Sequence, residues 1–320
     1  MGTDIVLLIG GLVLIGVAAD QAVVGAARLA DRFRLPRVVV GALLIGVGTS
    51  MPELFVDTLA VLEGRPTLAL GELMGSNAAN IGLVLGSAAL VMARPLVVDS
   101  GVLAREVPLS LGACLVFVVV VLAGSPRLAG LALLVGAVVV VRTIVTRPRT
   151  APVTEPGDVE LSREVGVLVG RVSVPREWVR ALAGLAVTLV AAQGVLTGAV
   201  SLAERFGLAE GFVGLAIIAV GTSLPELVTA LTGVRRGEDE LVIGNVLGSN
   251  LTNSLLVGGI VVLLAGEPAA TPTLRAAGLL VTGLVLLLAM AMGRGLHVSR
   301  VEGALLLLTW GAGLALVATV

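Results

Sequence analysis

The sequence predicts an all-α polytopic membrane protein with ten transmembrane helices in two inverted five-helix repeats. Three observations predict it: an apolar composition, ten hydrophobic runs and a gapless internal repeat. Of 320 residues, 57% are hydrophobic and 13% charged, and the mean hydropathy is +1.08. A soluble domain of this length needs far more polar surface to cover its core. Runs such as Ile5–Ala19, Val107–Pro126, Ala181–Ala203 and Ala276–Gly293 approach or exceed the roughly 20 residues that span a bilayer.

The expected spans are 4–29, 38–62, 67–92, 104–125, 127–146, 179–203, 211–233, 241–265, 274–293 and 302–320. The first lacks a basic leading segment and a small-residue cleavage site, so it reads as a retained helix rather than a signal peptide. Between the fifth and sixth spans runs one long polar stretch, Arg147–Glu177, rich in Pro, Glu and Arg. It reads as a linker. The chain therefore divides into a first repeat at 1–146, a linker at 147–177 and a second repeat at 178–320. The single cysteine, Cys114, excludes an intramolecular disulfide.

All 21 basic residues are arginine. If the loops after spans 1, 3, 5, 7 and 9 face the cytoplasm, these loops and their flanks hold every arginine except Arg65, Arg127, Arg205 and Arg275. The positive-inside rule then places the linker in the cytoplasm and both termini on the extracytoplasmic side of the cell membrane.

The internal repeat fixes the architecture. Residues 41–86 and 214–259 align without a gap at an offset of 173 positions, the distance from Glu53 to Glu226. Each copy belongs to five spans, an odd number, so the second must enter the membrane from the opposite side. Repeats inverted in this way are typical of secondary transporters, with the site near the midplane where they meet.

The chemistry lies in two repeated motifs. The first is Gly48-Thr49-Ser50-Met51-Pro52-Glu53, with its twin Gly221-Thr222-Ser223-Leu224-Pro225-Glu226. Proline lacks an amide hydrogen and its ring clashes with the carbonyl four residues back, so the carbonyls of Gly48 and Gly221 lose their helical partners. A broken helix inside a bilayer survives only where protein or water satisfies its backbone. Freed carbonyls, hydroxyls and a carboxylate make an oxygen-rich cluster of the kind hard cations take, and Ca²⁺ uses six to eight such ligands. A carboxylate at mid-membrane costs about 2.5 kcal/mol or more and marks function by default. Here it occurs twice, at equivalent positions. Two carboxylates brought together repel unless a cation or protons relieve them, so cations and H⁺ should compete for the pair.

The second motif is Gly75-Ser76-Asn77-Ala78-Ala79-Asn80, with its twin Gly248-Ser249-Asn250-Leu251-Thr252-Asn253. Ser76 and Asn80 share one helical face, as do Ser249 and Asn253, and their oxygens could complete a coordination shell. Other intramembrane acids lack a matched twin: Glu72 corresponds to Asn245, Asp57 to Ala230 and Asp20 to Gln193. Asp57, one turn beyond Glu53, reads either as water-facing or as locally paired. The acidic tip Glu238-Asp239-Glu240 reads as a solvated loop. No Gly-rich phosphate loop, metal-ligand Cys/His spacing or nucleophile triad is present, so nothing supports an enzyme, a cofactor, nucleic-acid binding or an obligate protein partner.

Two copies of G-T-S-x-P-E-L followed by G-S-N-x-x-N resemble the repeats of the cation/Ca²⁺ antiporter superfamily, the sodium/calcium exchangers. The resemblance covers both halves. It implies Glu53 and Glu226 as principal ligands of Ca²⁺, with Na⁺ in adjacent sites. Thr49, Ser50, Ser76 and Asn80 would join them from the first half, Thr222, Ser223, Ser249 and Asn253 from the second. Backbone carbonyls three residues before each threonine, Gly46 and Ala219, would complete the set. Two positions depart from the family pattern. Asn253 stands where several members carry Asp, which argues against K⁺ co-transport. Glu72 stands where Asn is usual, and bears on the choice between Na⁺ and H⁺.

The expected function is Na⁺-driven Ca²⁺ antiport by alternating access. H⁺/Ca²⁺ exchange on the same residues is the runner-up, and a cation channel the alternative from another class. The orientation is open to test: a cysteine introduced at Thr154 in a Cys114→Ser background should resist impermeant thiol reagents in intact cells. Ready labelling there overturns it.

Overall fold

The computed structural model describes residues 1–32, 50–92, 95–97, 100–146, 173–236, 239–266, 270–295 and 297–320. Nearly all of them are helical. Helix α1 spans Gly2–Arg32 and α2 spans Met51–Leu62. Helix α3 runs through Pro66–Ala79, a π-helical turn at Asn80–Leu85, and Gly86–Val91. Helices α4, α5 and α6 cover Ser100–Leu122, Arg127–Thr146 and Val174–Phe206. Helix α7 combines Glu210–Val213, a π turn at Gly214–Ile218 and Ala219–Thr222, and α8 follows at Leu224–Arg236. Helix α9 joins Asp239–Leu251, a π turn at Thr252–Val257 and Gly258–Leu264. Helices α10 and α11 are Pro272–Gly295 and Arg300–Val317. A two-stranded ribbon pairs β1, Leu96–Val97, antiparallel with β2, His297–Val298.

Every predicted span carries helix over its described residues; positions 38–49 of the second lie outside them. Among the described residues, five helices are long and apolar enough to cross a membrane, and a sixth forms if the bent pair Glu210–Thr222 and Leu224–Leu231 is one span. Helices α3 and α9 are the most enclosed of these, whereas α11 is largely exposed along Val301, Leu305, Leu308 and Leu316. Broad apolar faces of this kind belong against lipid rather than water.

With hydrocarbon on the outside, helices associate through close backbone approach at small residues. On α1, Gly11 abuts Ala191 and Val195, and Gly25 abuts Glu177 and Ala181; on α6, Gly198 abuts Asp4 and Leu8. These contacts set α1 and α6 antiparallel. The seam between α3 and α7 is tighter still. A Cβ on Gly71 would lie 2.2 Å from the Gly211 carbonyl oxygen, one on Gly75 2.3 Å from that of Leu215, and one on Gly214 2.2 Å from that of Leu68.

At one end, Arg28 of α1 binds the buried Glu177 of α6 at 3.0 Å, with Arg180 at 3.6 Å. At the other end, Arg65 in the α2–α3 turn binds Glu210 and Glu204, and Gln193 of α6 donates to Glu63 at 2.6 Å. One expectation is corrected. Asp239 is no solvated loop residue: it is buried and opens α9, where a carboxylate is favoured by the helix dipole.

The glycine seam yields a stability prediction. Gly214→Ala forces a methyl into backbone and should destabilise by about 1–3 kcal/mol or more. Gly136→Ala meets only an ordinary contact, at 3.7 Å from Leu255. Thermal unfolding in detergent should give a clearly lower melting temperature for the first and a near-unchanged one for the second; equal values refute the close approach.

Candidate cation site

Both repeated motifs end in a helix start created by proline. Ser50 precedes α2 with φ −91° and ψ 13°, and Pro52 sits in the first turn, where its missing N–H costs nothing. In the second copy the chain bends by 40° between α7 and α8, at Ser223. Pro225 follows two residues later and cannot donate to Gly221. Each break carries its glutamate into the first turn of the next helix, and Glu53 and Glu226 are completely buried.

The polar residues converge on Ser76. Its hydroxyl donates to Glu53 Oε1 at 3.2 Å, lies 3.1 Å from Ser223 Oγ and accepts from Asn253 Nδ2 at 3.0 Å. One α3 residue is thus bonded to α2 and to two elements of the second copy. In that copy, Ser249 donates to Glu226 Oε1 at 3.5 Å, the counterpart of the Ser76–Glu53 contact. Glu53 lies within Coulombic reach of Glu226 and Glu72. Asn80 donates to Asn250 Oδ1 at 3.0 Å, and Asn250 to the Asn77 carbonyl at 3.5 Å.

Several buried oxygens receive no hydrogen bond: Ser50 Oγ, Glu53 Oε2, Asn80 Oδ1 and Asn253 Oδ1. Buried polar atoms are ordinarily satisfied, and exceptions ask for an explanation. Unmet acceptors beside two carboxylates suit a hard cation. Among the described residues no three His, Cys, Asp or Glu side chains surround a single ion, so neutral oxygens would have to supply most of any coordination shell.

Of the predicted ligands, the structure gathers Glu53, Ser76, Ser223 and Asn253 into one bonded cluster. It pairs Ser249 with Glu226 and leaves the Ser50 hydroxyl buried nearby in sequence at the start of α2. Asn80 is turned to Asn250. Thr222 donates to Glu72 Oε1 at 2.7 Å and lies 3.2 Å from the Ala219 carbonyl. The Ala219 carbonyl also accepts from the Ser223 amide at 3.0 Å, so it is engaged as well as near. Gly46 and Thr49 lie outside the described residues.

One feature was not foreseen. Asn77 donates to Ser254 Oγ at 3.0 Å, and Ser254 contacts Cys114 at 3.7 Å. Asn77 and Asn250 are equivalent in the repeat, which was the available signal; Ser254 aligns with Ile81 and had none. Of the two readings for Asp57, water-facing or locally paired, the second holds: it is completely buried and faces Glu72. Beyond this cluster, a cavity of ≈ 310 Å³ is lined by Glu63, Arg65, Leu196, Thr197, Val200, Ser201 and Glu204.

Known proteins bear directly on this arrangement. The sodium/calcium exchanger protein family matches residues 3–146 and 177–319. The protein named antiporter CaxA of Alkalimonas amylolytica is 34% identical over 304 residues, 94% of either chain. The inner membrane protein YrbG of Escherichia coli is 39% identical over 266 residues, 81% of this chain and 79% of its own. The solved structure of the sodium-calcium exchanger NCX_Mj superposes with a TM-score of 0.66 at 26% identity, covering 98% of each chain. With the family matched across both copies of the repeat and the fold shared along its length, this chain belongs to the sodium/calcium exchanger family of membrane antiporters.

Proposed function

We propose that the protein exchanges Na⁺ for Ca²⁺ across the cytoplasmic membrane by alternating access, independently of K⁺, with Glu53 and Glu226 binding the cations at the bilayer midplane. The observation that carries this reading is the Ser76 cluster, in which residues of both repeat copies bond to one another around Glu53. Ser50, Asn80, Thr49 and Gly46 would complete the first half of the shell, and Ser249, Asn253, Thr222, Ser223 and Ala219 the second. Two fixed negative charges attract a divalent ion and, when it leaves, require other cations in its place. That coupling is what makes an exchanger rather than a channel.

The architecture proposed with it is ten spans, two repeats at 1–146 and 178–320, and a cytoplasmic linker between. Two contacts support inversion of the repeats. Helices α1 and α6, equivalent at the repeat offset, run antiparallel. So do α3 and α9, where Asn77 meets Ser254 and Asn80 meets Asn250. The arginine distribution supports extracytoplasmic termini.

H⁺/Ca²⁺ exchange is the second reading. It is favoured by Asp57 and Glu72, two buried carboxyls that the second copy lacks. Related proteins do not separate the two: CaxA is named as an antiporter, and NCX_Mj as a sodium-calcium exchanger.

Purified protein in proteoliposomes tests both. An imposed Na⁺ gradient should drive uphill uptake of radiolabelled Ca²⁺, whereas accumulation on a pH gradient alone would transfer the assignment to H⁺. Glu53→Gln and Glu226→Gln should each abolish uptake while the protein still folds, and near-normal flux in either refutes the two-glutamate site. Asn80→Ala and Asn253→Ala should weaken Ca²⁺ binding less, since each removes a neutral ligand.

A further inference from the structure

Helices α2 and α3 form an antiparallel hairpin in which Glu53 faces Ser76. Four residues on along α2 and four back along α3, the next rung of the same hairpin pairs Asp57 with Glu72. The two carboxyl groups are close enough to interact across the hairpin. Both are completely buried. Glu72 Oε1 accepts from Thr222 at 2.7 Å, but Glu72 Oε2 and both oxygens of Asp57 receive no hydrogen bond. Among the described residues no ion pair reaches either group.

The second copy lacks this rung. There Glu226 faces Ser249, and the next pair is Ala230 with Asn245, whose amide turns back to the Glu226 carbonyl at 3.4 Å. The extra acids are therefore not part of the repeated site. They lie one turn from the Glu53 level toward the α2–α3 turn, where Glu63 and Arg65 line the ≈ 310 Å³ cavity. Two carboxylates facing each other in a dry interior repel strongly, and burial multiplies that repulsion. A cation between them relieves that repulsion, as a shared proton also would. Three unengaged oxygens are too few for Ca²⁺, which takes about six to eight. A monovalent ion, with half the charge and a smaller demand for ligands, fits better.

We infer that Asp57 and Glu72, with the Thr222 hydroxyl beside them, form a second cation site that holds one Na⁺ between the outer cavity and the two-glutamate site. It goes beyond the reading of Glu53 and Glu226 and does not depend on which ion drives transport. The rung gives the first copy a cation station that the second copy has no means to offer.

The test measures the melting temperature of the purified full-length protein against NaCl, with choline chloride holding ionic strength constant. In Glu53→Gln/Glu226→Gln, Ca²⁺ should no longer protect but Na⁺ should. Adding Asp57→Ala/Glu72→Asn, which rebuilds the rung that the second copy already folds with, should abolish the Na⁺ response. Asp57→Asn in the same double glutamine background, nearly isosteric, should shift the half-protecting Na⁺ concentration at least tenfold upward. The inference is overturned if Na⁺ gives no protection in the double glutamine variant, as expected for carboxyls that merely share a proton. It is equally overturned if protection survives loss of the rung. Ca²⁺ protection persisting in the double glutamine variant refutes the two-glutamate site instead, and leaves the Na⁺ comparison readable.

Discussion

The hydroxyl of Ser76 is the junction on which the interior depends. A serine offers one proton and two lone pairs, and here they are divided among Glu53, Ser223 and Asn253. In a low-dielectric interior an unpaired polar group is expensive. Helices α2, α3 and α9 and the α7–α8 break are therefore held in register by polar bonds as well as by apolar packing. The lipid-facing surface imposes no comparable requirement, because exposed leucines and valines of α11 are interchangeable with hydrocarbon. Specificity in this fold resides in its few polar atoms.

Close packing serves the same end. The glycines at 71, 75 and 214 let the α3 and α7 backbones approach until a single methyl would collide with a carbonyl. That approach brings Thr222, at the end of α7, within 2.7 Å of Glu72 on α3. Bulkier residues along the seam would separate the two copies and pull apart contacts made one or two turns away. Glycines at the seam and oxygens at the site are consequently one design rather than two.

Much of this was legible in the sequence, and for identifiable reasons. Apolar runs located the helices because a bilayer demands long, uncharged segments. The repeat located Glu53, Glu226, Ser76 and Ser249 because each motif appears twice, at an offset of 173 positions. What lies across helices was not legible. The facing of Asp57 and Glu72 depends on the register of the α2–α3 hairpin, which neither helix encodes alone. The contact between Asn77 and Ser254 joins residues 177 apart, and Ser254 has no counterpart in the first motif. The burial of Asp239 contradicts its acidic neighbourhood because position at a helix start outweighed local composition.

The π-helical turns also escaped a reading based on a single helical period. Two of the three among the described residues follow the motif serines Ser76 and Ser249, at Asn80–Leu85 and at Thr252–Val257. Such a turn accommodates one residue more than the α-helix it interrupts, and turns of this kind are frequent at functional sites. Everything beyond it is rotated by about 100° relative to an uninterrupted helix. The length of these segments is thus itself a structural instruction. Removing one residue between Asn80 and Leu85 would leave a regular helix with its flanks where they now stand, because the turn absorbs the extra residue. Straightening the turn with its residue count unchanged would instead swing Gly86 away from Gly303 and Leu307, against which it now packs. In this protein the form of one helical turn, with no change in chemistry, decides which face of α3 packs on α11.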